Sequence, residues 1–299
     1  VKVKFPDCRI DILAEERNSQ IFKLCSDVDQ VYHYDHLQEL CFCLKTKYDV
    51  VVDTEQWHRL SAVVARLIRA KFCIGFRTNE RRRMFSHTVD YSQEKYELDS
   101  FLDLFSPLNI GKAQSFGSFL SIPEESFKSS AVFLDSVLST SFIVLFPGAS
   151  IPERRWGTSN FRALAGKILA SGLAVVVVGG EEDVDLARDI CQGMAVLNLA
   201  GKTSLLESAA VVAQSKIVVT GDSGLLHIAV GLDKPTVSLF GPGIAKKWAP
   251  RGEKHIVLNK ELSCSPCTKF GNTPKCPRKA LCLQQISVED VFAAVESLS

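Results

Sequence analysis

Between Phe142 and Phe240 short apolar runs alternate with helix-length amphipathic stretches, which restricts this part of the chain to an α/β fold on a parallel sheet. Parallel neighbours need a crossover of a dozen or more residues, and each gap between runs is long enough to hold a helix. Strands are expected at Phe142–Phe146, Leu173–Val178, Ala195–Leu199, Lys216–Thr220 and Thr236–Phe240. Helices are expected at Asn160–Ala170, ended by Gly172, at Asp183–Cys191, and after Ser204, which stands in capping-box spacing to Glu207.

The first half repeats this order with less definition. Cys8–Ala14, Val28–Tyr34, Tyr48–Asp53 and Lys71–Phe76 read as strands, and Asn18–Cys25, Ser61–Ala70 and Ser92–Phe105 as helices. With 299 residues, 46% of them hydrophobic and 23% charged, the chain can bury two cores. Two doubly wound α/β domains are therefore expected, at residues 1–138 and 139–299. The second would carry a cysteine-rich loop at 264–282 and a final helix at 287–298, with Val288, Val291, Phe292 and Val295 at helical spacing, a helix expected to pack back on the first domain.

A formal charge of +1 creates no general field for nucleic acid or an anionic membrane, so any anion must be held by a local site. No stretch approaches the roughly 20 apolar residues of a transmembrane helix. The opening Val1-Lys2-Val3-Lys4-Phe5-Pro6 is neither a signal peptide nor a methionine start, so a chain trimmed at its beginning is expected. Six of the ten cysteines are scattered through core-like segments, which fits reduced thiols in the cytoplasm.

Ligands of open α/β sheets bind beyond the carboxyl ends of the strands, and four loops there are unusual. Phe146 leads into Pro147-Gly148-Ala149-Ser150 and then Arg154-Arg155-Trp156; Val178 leads into Gly179-Gly180-Glu181-Glu182-Asp183. Thr220 leads into Gly221-Asp222-Ser223-Gly224, with His227 one turn later, and Phe240 into Gly241-Pro242-Gly243. A glycine-rich turn that opens a helix presents backbone N–H groups and the positive helix end to a phosphate. Gly221 to Gly224 fits that geometry, and Ser223 and His227, four apart, share a helix face and can both point to one anion. The plainer alternative is an N-cap followed by a core histidine. Likewise, Glu181 to Asp183 can accept ribose hydroxyls or only complement a helix dipole, and Arg154 or Arg155 can neutralise a diphosphate or lie on the surface.

Taken together, FPGAS with RRW, VVVVGGEED, LAGKTSLLE and VVTGDSGLLHIAVGLDKPTVSLFGP, in this order, resemble the C-terminal domain of glycosyltransferase family 9, the ADP-heptose:lipopolysaccharide heptosyltransferases. YDVVVD and LSAVVARLIRAKFCIGF are similar to the family's weaker N-terminal pattern. The resemblance implies a GT-B fold, two Rossmann-like domains facing across a cleft, and inverting transfer that needs no cofactor or catalytic metal. It implies ADP-heptose as donor and a lipopolysaccharide inner core, or lipid A-Kdo, as acceptor at the membrane surface. A cytoplasmic enzyme, peripheral at the inner face of the bacterial inner membrane, would carry this out.

Position by position, the resemblance implies that Ser150, Asp222, Ser223, Gly224 and His227 hold the donor. Arg154, where the family usually has lysine, would stabilise the leaving diphosphate. Glu182 or Asp183 would bind the ribose, and Thr203 and Leu205 would enclose the adenine. The family's general base is an Asp in a Gly-Asp loop after its first strand. CRIDILA matches the family's second strand, so that base is expected in a βα unit of roughly 30 residues ahead of Val1, and the first sheet is expected to lack a central strand. Asp53, Glu55 and His58 are acceptor-side candidates, with a polar strand-end loop as the alternative.

Two features stand outside this scheme. Cys264, Cys267, Cys276 and Cys282 have C-x2-C-x8-C-x5-C spacing, open to a structural zinc, two disulfides or free thiols. Arg77 and Arg81 to Arg83 form a basic run that can meet phosphates or simply be solvated. The competing functions are a UDP-sugar 2-epimerase-like enzyme of GT-B shape and a non-catalytic, truncated nucleotide-binding homologue.

Overall fold

The computed structural model describes residues 1–111, 117–135, 137, 140–269 and 271–299, and the chain forms two compact units, Val1–Phe116 and Gly117–Ser299. In the first unit β1 (Asp11–Ala14) leads through α1 (Glu16–Ser19) to β2 (Gln30–His33), and α2 (Leu37–Lys45) leads to β3 (Val50–Asp53). Then follow α3 (Leu60–Leu67), β4 (Phe72–Phe76), β5 (His87–Val89) and α4 (Glu97–Asp103). All pairings are parallel, and they form two sheets, β1-β2 and β3-β4-β5. Ile74, Phe76 and Leu104 form a small core against them. Neither α2 nor β5 was expected from sequence.

The second unit opens with α5 (Glu124–Leu134), followed by β6 (Phe142–Phe146), α6 (Thr158–Ala170), β7 (Ala174–Val177), α7 (Val184–Cys191) and β8 (Leu197–Asn198). The chain continues through α8 (Leu205–Gln214), β9 (Ile217–Gly221), α9 (Gly224–Gly231) and β10 (Thr236–Phe240). It ends with α10 (Ala245–Trp248), β11 (His255–Asn259), α11 (Leu281–Gln284) and α12 (Val288–Leu298). The boundary expected between residues 138 and 139 falls outside the described residues. Helix α5, not expected from sequence, belongs to the second unit, where Ser130 Oγ accepts a hydrogen bond from Gln214 Nε2 of α8 at 3.1 Å.

The six strands form one parallel sheet in the order β11-β10-β9-β6-β7-β8. Helices cover both faces, so the central strands are apolar throughout: Ile143, Val144 and Leu145 are fully buried, as are Val175 to Val177. Burying each such side chain contributes about 1.5–3 kcal/mol relative to exposure. The capping box at α8 is present, with Glu207 N–H donating to Ser204 Oγ (3.3 Å) and Ser204 N–H to Glu207 Oε2 (2.8 Å). Helix α12 packs Val288, Val291, Phe292 and Val295 into the core of its own unit.

Candidate functional site

From β6 the chain winds outward through β7 to β8, then crosses back and winds the other way through β9 to β11. The reversal lies between β6 and β9, whose register sets Phe146 beside Thr220. Ligands of doubly wound sheets bind at such a switch point, where two adjacent loops diverge to opposite faces. Here those loops are Pro147 to Ser150 and Gly221 to Gly224.

The two loops touch. Gly221 lies so close to the Arg154 carbonyl that a Cβ would stand 3.1 Å from its oxygen. Asp222 is buried, and its Oδ2 pairs with Arg154 Nη1 at 3.2 Å. Burial raises the Asp222 carboxyl above its ordinary range, while Arg154 and His227 pull it down. Gly243, from the loop after β10, leaves room for this carboxylate: a Cβ there would run into Asp222 Oδ2. Three of the four loops therefore meet at Asp222.

Arg154 is also held from the other side. Its Nε donates to Thr273 Oγ1 at 3.3 Å and its Nη2 to the Gly271 carbonyl at 3.5 Å, both in the cysteine-rich loop. That loop hangs in turn on Pro242, whose carbonyl accepts from Cys267 and Thr268 N–H, each at 3.0 Å. Arg155 braces the first loop, donating from Nε (2.9 Å) and Nη2 (2.8 Å) to the Ala149 carbonyl. Trp156 is a core residue, its indole N–H bonded to the Ile286 carbonyl.

Ser223 is the N-cap of α9, accepting from Leu226 N–H at 3.4 Å and sharing a 2.9 Å bond with Thr220 Oγ1. Its hydroxyl is thus partly committed to the helix. Gly224 and Ser150 are exposed, leaving the first turn of α9 open to an anion. His227 is exposed but ringed by protein, with Trp248 edge-on at 6.3 Å. Desolvation lowers its imidazole pKa, and the Asp222 carboxylate opposes this.

The two ribose candidates part company. Asp183 is only 2% exposed, and its Oδ2 accepts Gly180 N–H at 3.2 Å. Gly148 has no side chain because a Cβ would strike this carboxylate, so Asp183 seals the β6 and β7 loops together. Glu182 is exposed and is the carboxylate available to a ligand. Thr203 and Leu205 flank the start of α8, with Thr203 Oγ1 bonded to Ser208 Oγ at 2.7 Å.

In the first unit two acceptor-side candidates take structural roles. Asp53 and Arg81 form a buried ion pair, Oδ2 to Nη2 at 2.7 Å, and Arg81 also donates to the Glu55 carbonyl and to Ser61 Oγ. Arg81 of the basic run is therefore a core residue, while Arg82 and Arg83 are exposed. The Glu55 carboxylate folds back on its own loop, accepting N–H groups of Gln56 (2.9 Å), Trp57 (2.8 Å) and His58 (3.2 Å). Burial works against its ionisation, but these three donors hold the carboxyl below its usual range. His58 remains exposed.

All ten cysteines carry free thiols. Cys264, Cys267, Cys276 and Cys282 line one small cavity, with Cys276 Sγ accepting from Ala280 N–H at 3.4 Å. Among the described residues no three of the four sulfurs lie mutually within 4.8 Å, so they surround a space without yet closing a tetrahedron. A separate concavity beside Arg188, Cys191 and Asn198 contains none of the motif residues.

Comparison with known proteins gives a consistent result. The family description "Glycosyltransferase family 9 (heptosyltransferase)" matches residues 38–277. The chain is 26% identical to lipopolysaccharide heptosyltransferase 3 of Escherichia coli, over 100% of this chain and 92% of the relative. A shorter match, 34% identical over 38% of this chain and 34% of the relative, is to lipooligosaccharide heptosyltransferase 2 of Haemophilus influenzae. Among solved structures, a glycosyl transferase family 9 protein from Veillonella parvula superposes with a TM-score of 0.80 at 22% identity, covering 98% of this chain and 88% of that one. ADP-heptose lps heptosyltransferase II of E. coli gives 0.78 at 20% identity, covering 99% and 91%. These likenesses agree with the GT-B-type α/β fold, and the chain belongs to glycosyltransferase family 9, the heptosyltransferases.

Proposed function

We propose that this enzyme transfers a heptose from ADP-heptose to a lipopolysaccharide inner-core acceptor with inversion, without a catalytic metal. The observation that carries the reading is the meeting of Asp222 and Arg154 at the switch point, beside the open first turn of α9. A departing ADP needs positive charge on its diphosphate, and Arg154 with the α9 N–H groups supplies it from fixed positions. Asp222, Ser223, Gly224 and His227 bind the diphosphate and sugar, with Ser150 at the rim. Glu182 takes the ribose, while Thr203 and Leu205 border the base.

Family membership favours transfer over the UDP-sugar 2-epimerase-like alternative. The names of the relatives, heptosyltransferases of lipopolysaccharide and lipooligosaccharide, support the acceptor class. Of the acceptor-side candidates, His58 is the one with its side chain in solvent. Reduced thiols support a cytoplasmic enzyme. Among the described residues no helix is long and apolar enough to cross a membrane. As a structural element, Cys264, Cys267, Cys276 and Cys282, which line one cavity, would draw together around one zinc ion and so fix the loop that holds Arg154.

A thermal-shift panel of ADP, ADP-heptose, UDP and GDP tests the donor assignment. Stabilisation by ADP and ADP-heptose, abolished in Asp222→Ala and His227→Ala, is expected. A preference for UDP would overturn it, and so would no response to any nucleotide, which would mean that this chain lacks a competent donor site.

A further inference from the structure

At the carboxyl ends of β1 and β2, where Ala14 and His33 stand in register, three side chains converge that have no part in the donor site. His33 closes β2, His36 is the N-cap of α2 and Glu39 lies in its first turn, giving His-x2-His-x2-Glu. Glu39 Oε2 meets His33 Nδ1 at 2.9 Å, and Glu39 Oε1 meets His36 Nδ1 at 3.1 Å. The three side chains each offer a donor atom within 4.8 Å of the others. The backbone fixes the group, since His33 N–H donates to Glu39 Oε2 at 2.7 Å and His36 N–H to the His33 carbonyl at 3.2 Å.

A four-coordinate ion with bonds of about 2.0–2.2 Å keeps its ligand atoms roughly 3.3 Å apart. The two imidazole contacts to Glu39, at 2.9 and 3.1 Å, are already near that spacing, and the third edge lies within 4.8 Å, so the three side chains can close on one ion. A fourth residue prepares it. Glu16, at the start of α1, places Oε2 3.2 Å from His36 Nε2. A proton held on Nε2 by that carboxylate leaves the Nδ1 lone pair facing the centre, the pairing that orients metal-bound imidazoles. Glu16 is itself set by Asp35, whose carboxylate accepts its N–H at 3.2 Å.

We propose that His33, His36 and Glu39 bind a divalent first-row transition ion, with Glu16 orienting His36 and solvent completing the shell. Two imidazoles and one carboxylate select zinc, cobalt or nickel over calcium or magnesium. The ion fastens the end of β2 to the start of α2, with Glu16 linking α1 to it through His36, and this holds whether or not the donor assignment stands.

Cobalt(II) titrated into the chelator-treated full chain tests the site. Nitrogen and oxygen ligation gives visible d–d bands without the intense thiolate charge-transfer band that cysteine binding would add, so the two sites are read separately. The d–d bands of the histidine site are expected in the wild type and lost in His36→Ala and Glu39→Ala. Glu16→Gln is expected to weaken binding about ten- to a hundredfold. Cobalt bands of thiolate character alone, no binding, or bands unchanged in His36→Ala would each overturn the proposal. In the unaltered protein, zinc should protect His33 and His36 from diethyl pyrocarbonate, mapped by peptide mass spectrometry; unprotected rings would refute it independently of any variant.

Discussion

Asp222 and Arg154 come from loops on opposite sides of the chain reversal, yet their side chains pair at 3.2 Å. Carboxylate and guanidinium thus hold each other in place, leaving the cation poised beside the first turn of α9. For Arg154→Ala we expect kcat to fall about 10²–10³-fold, the usual effect of removing one electrostatic stabiliser of developing charge. Arg154→Lys should recover part of this. The measurement is ADP release under saturating donor, and an unchanged kcat in Arg154→Ala would rule out a role in leaving-group stabilisation.

Thr273 reaches Arg154 Nε from the cysteine-rich loop. A hydrogen bond to a charged group contributes about 1.5 kcal/mol, so Thr273→Val should lower kcat roughly tenfold. Thr273→Ser, which keeps the hydroxyl, should restore it with little change in donor KM. Equal loss in both variants would show that packing, not the hydroxyl, matters.

Zinc in the cysteine-rich loop predicts, in a His36→Ala background that removes the histidine site, one equivalent of metal per chain that resists dialysis and is lost on adding Cys276→Ser. Elemental analysis of the purified protein reads this directly. Metal content unchanged in Cys276→Ser would exclude these thiols as its ligands.

Burial pushes the Asp183 carboxyl up; Gly180 N–H opposes this, Glu182 adds to it and Arg155 opposes it. The folded chain therefore holds this proton more tightly than the unfolded chain does. The resulting stabilisation is complete below the unfolded value, about 3.9, and is lost as pH rises through the folded one. Asp183→Asn keeps an oxygen for Gly180 and removes the charge. Its melting temperature should be at least that of the wild type at pH 7, with the two converging near pH 4. A variant markedly less stable at pH 7 would contradict this account.

The Asp53–Arg81 pair is buried on both sides, so removing one partner leaves an unpaired buried charge. Asp53→Ala should destabilise the first unit by about 3–5 kcal/mol, seen as a lower denaturant midpoint, whereas His58→Ala should leave stability unchanged. Similar midpoints for both would place Asp53 outside the core of that unit.

The second sheet was legible because its strands are apolar on both faces and its turns rich in glycine. Helix α5 was not, because it meets α8 through small polar side chains: Ser126 and Ser130 are buried where an apolar periodicity would look for leucines. β5 is three residues long and β11 a half-exposed edge strand, so neither stands out from a loop. The donor loops could be found from residue order alone, but the roles of Asp53 and Asp183 could not. Nothing local marks Arg81 as a partner for Asp53 or shows Gly148 beneath Asp183; both depend on which strands become neighbours.

The pairing of Ile143 with Ile217 at the chain reversal also bears on how the enzyme matures. β6 and β9 are neighbours in the sheet although α6, β7, α7, β8 and α8 lie between them in the chain, and such long-range closures are slow to form. The donor loops therefore come together only as the whole second sheet closes. Nucleotide affinity during refolding should then appear in step with the last phase of sheet formation, with no earlier intermediate able to bind.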